Sequence, residues 1–286
     1  MDVRETAAGL LELTRPANAV AAGVLTFLGA YVAGGFGGEL PAVAAAVGAT
    51  VLATGAGNAI NDYFDREIDR INRPDRAIPR GAVSPRAAVV LAVVLFGAAI
   101  LLALALPALA VAIAVVNLLA LVAYTELFKG TPGAGNALVA YLVGSTFLFG
   151  AAAVGDVRPA AVLFALAALA TFSREVIKDV EDMAGDREEG LNTLPIAVGR
   201  RRALVVGAAA LVVSVLAIPL PYLYGPFGVA YLVLVVPAAA VMLAGAVRSF
   251  ADPAAGQRRV KYGMFLATLA FVAGRGAVDL VGLVSG

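Results

Sequence analysis

The chain has 286 residues, of which 61% are hydrophobic and 14% charged, with 21 Lys and Arg against 20 Asp and Glu. Mean hydropathy is +0.92, and apolar runs of about 20 residues recur along the whole length. This excludes an ordinary soluble globule, and the lack of short alternating segments excludes an outer-membrane barrel. The chain has neither cysteine nor histidine, so disulfides and thiolate or imidazole metal sites are excluded, and a bound metal is a hard ion held by oxygen, such as Mg²⁺.

In chain order, residues 1–16 are polar, with Arg4, Glu5, Glu12 and Arg15, and read as a short amphipathic helix at the membrane interface rather than a cleavable signal. Nine spans follow: 17–36, 41–62, 86–105, 107–127, 135–154, 159–179, 202–220, 226–247 and 261–281. Reversals fall at Gly37-Gly38, Pro107, Pro159, Pro221 and Gly225-Pro226. The expected fold is all-α and polytopic, one transmembrane domain over 1–286 with charged loops at about 62–86 and 174–202. Of the 21 Lys and Arg, 19 lie at the N-terminus or around 62–86, 128–134, 174–202 and 248–261. The positive-inside rule then places the N-terminus and these loops in the cytoplasm and the C-terminus outside the cell membrane.

The second and sixth spans end in matched acidic stripes. Asn58, Asp62, Asp65 and Asp69 follow offsets 0, 4, 7 and 11, and so do Glu175, Asp179, Asp182 and Asp186, 117 residues later. At about 100° per residue, each set falls within roughly 60° of one helix face. The shared position also hints at an internal duplication. A solvated loop explains one acidic cluster; two with the same helical spacing point to a divalent-metal site. Converging carboxylates repel one another unless a cation lies between them, and Mg²⁺ takes one or two carboxylates plus phosphate oxygens.

Basic residues surround the stripes: Arg66, Arg70, Arg73, Arg76 and Arg80 after the first, Arg174, Lys178 and Arg187 around the second, with Arg15 and Lys129 on the same membrane face. Each alone serves topology or lipid contact. Together with acidic metal ligands they suit a diphosphate. A diphosphate site on an apolar protein implies an amphiphilic prenyl diphosphate, whose loss of diphosphate leaves an allylic cation that a dry pocket shields. Tyr63, Phe64, Tyr124, Tyr141, Phe147, Phe149 and Phe172 are candidate aromatics for that pocket. Glu126 is explained by snorkelling or by pairing with Lys129, and Arg275 with Asp279 by an ion pair at i, i+4.

Four segments carry a family resemblance: TRPAN (14–18), NDYFDREIDRINRPDRAIPRG (61–81), YTELFKGTPGAGN (124–136) and REVIKDVEDMAGDREEGLNTLPIAVG (174–199). Over essentially its full length the chain resembles the UbiA superfamily of intramembrane prenyltransferases. The resemblance implies nine transmembrane helices around a cavity, with Mg²⁺ and diphosphate under a cytoplasmic cap. It implies metal ligands at Asn61, Asp65, Asp69, Asp182 and Asp186, with Asp62 and Asp179 beside them. Arg15, Arg73, Arg76, Tyr124, Lys129 and Lys178 match diphosphate-contacting or site-lining positions, and Asn18 a polar residue of the first helix. Asn58 and Glu175 fall outside the matched metal positions and are expected to line the pocket.

Within the superfamily, INRPDRAIPRG and the second Asp-rich segment look most like the archaeal enzymes that move a geranylgeranyl group onto geranylgeranylglyceryl phosphate. Ala77 and Arg80 depart from the usual RPIPSG, and Arg80 and Arg174 are possible contacts for an acceptor phosphate. The expected partners are a prenyl diphosphate, a lipid-phosphate acceptor and the bilayer, with no nucleic acid and no obligate protein. The proton acceptor is an Asp, with Asp62 the candidate, or a diphosphate oxygen. The alternatives are an aromatic-acceptor prenyltransferase of quinone or chlorophyll synthesis, and a carboxylate-lined transporter, which would place its acids near the bilayer midplane.

Overall fold

The computed structural model describes residues 3–34 and 39–285, with side chains described through 280. The described residues form helices and connecting turns without a β-strand. The short helix α1 (Val3–Leu13) leads into α2 (Pro16–Val32) and α3 (Leu40–Phe64); α4 (Arg66–Asn72) stands one residue beyond α3. Then come α5 (Pro85–Leu104), α6 (Ala108–Ala123) with a π-helical end at Tyr124–Phe128, and α7 (Ala134–Ala153). The chain finishes with α8 (Arg158–Glu188), α9 (Leu194–Val198), α10 (Arg200–Leu216), α11 (Leu220–Tyr224), α12 (Val229–Ser249) and α13 (Pro253–Ser285).

Among the described residues, 8 helical segments have the length and apolarity to cross a membrane, and the 17-residue α2 is a shorter apolar helix. Counting α2, the nine expected spans are all present, and the protein is a multi-pass membrane protein. Pro107 does separate two antiparallel helices, and proline opens α2, α3, α5 and α8, where its missing N–H is harmless. Ser84 caps α5 by accepting from the Ala87 N–H at 3.1 Å. The reversal expected at Gly37-Gly38 lies outside the described residues.

The largest correction concerns the sixth span. Its helix does not stop at 179 but runs 31 residues to Glu188, so the second acidic stripe rides on a rigid rod rather than in a loop. The last span likewise begins earlier than expected, at Pro253. In both, charged residues outside the apolar run continue the helix, because helical hydrogen bonding does not require an apolar sequence.

The main core joins α2, α7, α8, α12 and α13 around Phe147, Leu163, Tyr231 and Phe271. Small residues let these helices meet closely. A Cβ on Gly29 would strike the Phe147 carbonyl, and one on Gly150 the Thr26 carbonyl, so the α2–α7 crossing is backbone against backbone. By contrast α5 and α6 are the least buried spans. They form the outer wall of a cavity of about 520 Å³ whose other walls are α3 and α7.

Candidate active site at the acidic end of the bundle

The cavity is lined mostly by alanine, leucine, isoleucine and phenylalanine, including Phe96 and Phe149. Asn58 and Asn61 line it at the end where α3 carries the first acidic stripe. That stripe is not one uninterrupted helix. Asp65 is a one-residue junction between α3 and α4, with φ −81° and ψ 0°. The Asp65 N–H still donates to the Asn61 carbonyl and the Asp69 N–H to the Asp65 carbonyl, each at 2.9 Å, so the helical phase survives the break.

Two of the four residues are buried and clasped by arginine. Arg15 Nη2 donates to Asp62 Oδ1 at 2.5 Å; Arg76 Nη1 donates to the same oxygen at 3.3 Å and to Asp69 Oδ2 at 2.5 Å. Asp65 stands more open, with Lys129 Nζ at 3.5 Å. Local backbone irregularities set up these contacts. Arg15 holds a left-handed conformation, φ +46° and ψ 68°, at the start of α2, which a non-glycine residue adopts at a cost. The π-helical segment Tyr124–Phe128 shifts the helix phase before Lys129, and such segments cluster at functional sites.

The second stripe comes from across the bundle. Asp179 accepts from Asn136 Nδ2 of α7 at 2.8 Å, and Asp186 from Thr193 Oγ1 at 3.1 Å. Asp182 is exposed, as is Lys178, which acts electrostatically on both Asp179 and Asp186. Tyr124 joins the two halves: its phenol stands in the field of Glu175, Asp179 and Asp186 on α8 and of Asp65 on the other side. Carboxylates from both stripes, 117 residues apart in sequence, therefore act electrostatically on one tyrosine.

Not every expected residue joins this cluster. Arg80 forms a fork on Glu12, at 2.7 and 3.0 Å, and ties the cap loop to α1; that carboxylate holds the guanidinium above its ordinary pKa. Arg174 pairs with Glu175 at 2.6 Å, so neither offers itself freely. Asn58 donates to the Thr14 carbonyl at 2.9 Å and fixes the α1–α2 junction. Arg73 and Asn18 are exposed; the Arg73 backbone N–H donates to the Asp69 carbonyl at 2.8 Å, but neither side chain reaches the stripes. Lys129 pairs with Asp65 and not with Glu126, whereas Arg275 and Asp279 do pair, at 3.1 Å. Of the candidate aromatics, Phe149 lines the cavity but Phe147 is packed in the core.

Three residues were missed by sequence reasoning: Asn136, Thr193 and Phe96. The first two lie inside the quoted motifs, Asn136 as a polar residue between Gly135 and Ala137 and Thr193 next to Asn192. Phe96 carries no such mark.

Among the described residues, no three carboxylates come together as a ready metal cage. The donor set is all oxygen and divided between two helices, which fits a hard ion whose remaining ligands come from a phosphate, as Mg²⁺ prefers. Both halves therefore fit a metal brought in with an anionic substrate better than one held by protein alone.

The chain is similar to known proteins over nearly its whole length. Residues 22–269 match the UbiA prenyltransferase family. A digeranylgeranylglyceryl phosphate synthase of Natronomonas pharaonis is 64% identical over 275 residues, covering 96% of this chain and 99% of the relative. One from Methanopyrus kandleri is 47% identical, covering 92% of this chain and 97% of the relative. A solved digeranylgeranylglyceryl phosphate synthase superposes with a TM-score of 0.80 at 32% identity, over 95% of this chain and 99% of that one. A UbiA homologue from Archaeoglobus fulgidus, bound to DMAPP and Mg²⁺, shares the fold with a TM-score of 0.70 at 16% identity, over 94% of this chain and 99% of that one.

Proposed function

The chain belongs to the UbiA prenyltransferase family, and from that premise we propose that it transfers a geranylgeranyl group from geranylgeranyl diphosphate to the free hydroxyl of geranylgeranylglyceryl phosphate. The single observation that supports the diphosphate half is that Asp65 of the first stripe and Asp179 and Asp186 of the second all act electrostatically on Tyr124, at the end of the bundle where Asn58 and Asn61 line the apolar cavity. The acceptor reading is supported by the digeranylgeranylglyceryl phosphate synthases among the relatives, which span nearly the whole chain.

In this reading Asn61, Asp65 and Asp69 on one side and Asp182 and Asp186 on the other would hold Mg²⁺, with Asp179 in support. A bound divalent ion supplies neutralisation of the charge that develops on the leaving diphosphate. Lys129, Lys178, Arg73 and Arg76 bind the remaining phosphate oxygens, with Arg76 turning from Asp69 to the substrate as the ligand arrives. Tyr124 donates from its hydroxyl at the same end. The apolar cavity takes the prenyl chain and excludes water from the allylic cation.

Asp62 has a different role from the one expected of it. Its Oδ1 already accepts from Arg15 and Arg76, so it positions these cations, and the hydroxyl proton passes to a diphosphate oxygen. Arg80, engaged with Glu12, is a strut rather than an acceptor contact. The stripes face the cytoplasm in this scheme, following the Lys and Arg distribution.

The test is an acceptor panel. Purified protein in liposomes receives labelled geranylgeranyl diphosphate with geranylgeranylglyceryl phosphate, hydroxybenzoate, naphthoate or chlorophyllide. The expected product is the diether lipid alone; a prenylated aromatic ring with no ether lipid would overturn the assignment.

A further inference from the structure

One residue of the cavity wall is unlike the rest. The 16 residues of α6 read ALAVAIAVVNLLALVA, with Asn117 alone polar. A polar side chain within a membrane span is costly and calls for a functional explanation. Asn117 lines the cavity, yet its Oδ1 is buried without a hydrogen-bond partner.

Thr54 and Asn61 of α3 also line the cavity; its other polar groups are spent elsewhere. Thr146 donates to the Val143 carbonyl at 2.7 Å and Thr50 to the Ala46 carbonyl at 3.0 Å, each spending its hydroxyl on its own helix. Asn58 donates to Thr14. With its oxygen sealed, the part of Asn117 that faces the cavity is its Nδ2, which brings two N–H donors to an apolar space.

Depth shows what those donors meet. Gly57 of α3 faces Leu121, since a Cβ there would lie 4.0 Å from Leu121 Cδ2. Asn117 is one helical turn deeper than that contact and two turns, about 10 Å, deeper than Tyr124. A prenyl chain with its diphosphate between the stripes runs down the cavity past Asn117, presenting an internal double bond that takes no part in the reaction. The apolar part of the lining, with Phe96, Ile100, Leu118 and Leu121, suits such a chain.

We propose that Asn117 is a specificity-determining residue that selects unsaturated prenyl chains, its amide N–H groups donating to the π-face of a non-reacting double bond. A saturated chain offers no acceptor and leaves the amide unpaired as well as dry. The donor this site takes is therefore a polyunsaturated isoprenoid, discriminated from a reduced one of equal length. The inference rests on the prenyl-transfer reading for its substrate, but not for its test of binding.

Two measurements decide it. The first compares kcat/KM for geranylgeranyl diphosphate and for phytyl diphosphate, which has the same carbon count but only the allylic double bond. The parent should favour the unsaturated donor by about fivefold. Asn117→Leu and Asn117→Ala should bring the ratio close to one, acting through KM with kcat for geranylgeranyl diphosphate nearly unchanged. The second needs no turnover: geranylgeraniol should raise the melting temperature of the parent more than phytol does, and equally with phytol in Asn117→Leu. Discrimination that persists in both variants, or alcohols that bind the parent indistinguishably, would overturn the proposal. Alcohol discrimination without any prenyl transfer would instead refute the proposed function and leave the role of Asn117 standing.

Discussion

Asp65 and Asp182 are the two carboxylates most open to a metal, one half-exposed beside Lys129 and the other exposed at the end of α8. In the proposed scheme losing either removes an ion ligand at the point where leaving-group charge develops, so Asp65→Asn and Asp182→Asn should each lower turnover of labelled geranylgeranyl diphosphate by at least about 100-fold. Both proteins should still insert and melt as the parent does. Arg80→Ala is the contrasting case. Its pair with Glu12 is partly exposed, so melting should report a loss under about 1 kcal/mol while KM for both substrates stays put. At this scale the sequence was informative about residue types and less so about partners. It marked Arg15, Asp62, Arg76 and Asp69 as one neighbourhood, but only the folded chain shows Asp62 gripped by two arginines and Arg80 drawn off to α1. Those pairings depend on the path of residues 73–84, which no periodicity encodes.

Elements explain why the site is precise. The second stripe sits on an uninterrupted helix, α8, and the first on a helix broken only at Asp65, so two rods present carboxylates to a common tyrosine. The phase of Tyr124 and Lys129 depends on the π-helical turn between them. Deleting one residue from Tyr124–Phe128 would rotate Lys129 by about 100° relative to α6. KM for the diphosphate should then rise while the protein remains folded, as read by steady-state kinetics alongside melting. The α2–α7 crossing is a second element-scale dependency. Gly150→Val drives a side chain into the Thr26 backbone, which should destabilise by about 3 kcal/mol, seen as a lower melting temperature in detergent. Spans were legible because each apolar run is membrane-length. The continuation of α8 to Glu188 was legible only in the helical spacing of its acidic stripe and not in hydropathy, since charged residues are as compatible with a cytoplasmic loop as with a helix extending beyond the bilayer.

Across the whole molecule, one end of the bundle carries the chemistry and one side opens to lipid. The densely packed α2, α7, α8, α12 and α13 give the rigid frame, and the thinly covered α5 and α6 wall the cavity on the outside. In the proposed scheme a chain-bearing substrate therefore reaches the polar end without leaving an apolar environment. The general plan was legible from hydropathy and from the paired 0, 4, 7, 11 spacing, whereas the cavity was not, because Ala, Leu and Phe lining a void look the same in sequence as those facing lipid. The account stands on the two stripes forming one diphosphate site rather than two. The most direct test is a double-mutant cycle on Mg²⁺-dependent binding of the unreactive geranylgeranyl thiodiphosphate, by calorimetry of the parent, Asp65→Asn, Asp182→Asn and the double variant. A single site gives a coupling of about 1 kcal/mol or more between the two positions. Additive losses, or either single variant binding as tightly as the parent, would contradict it.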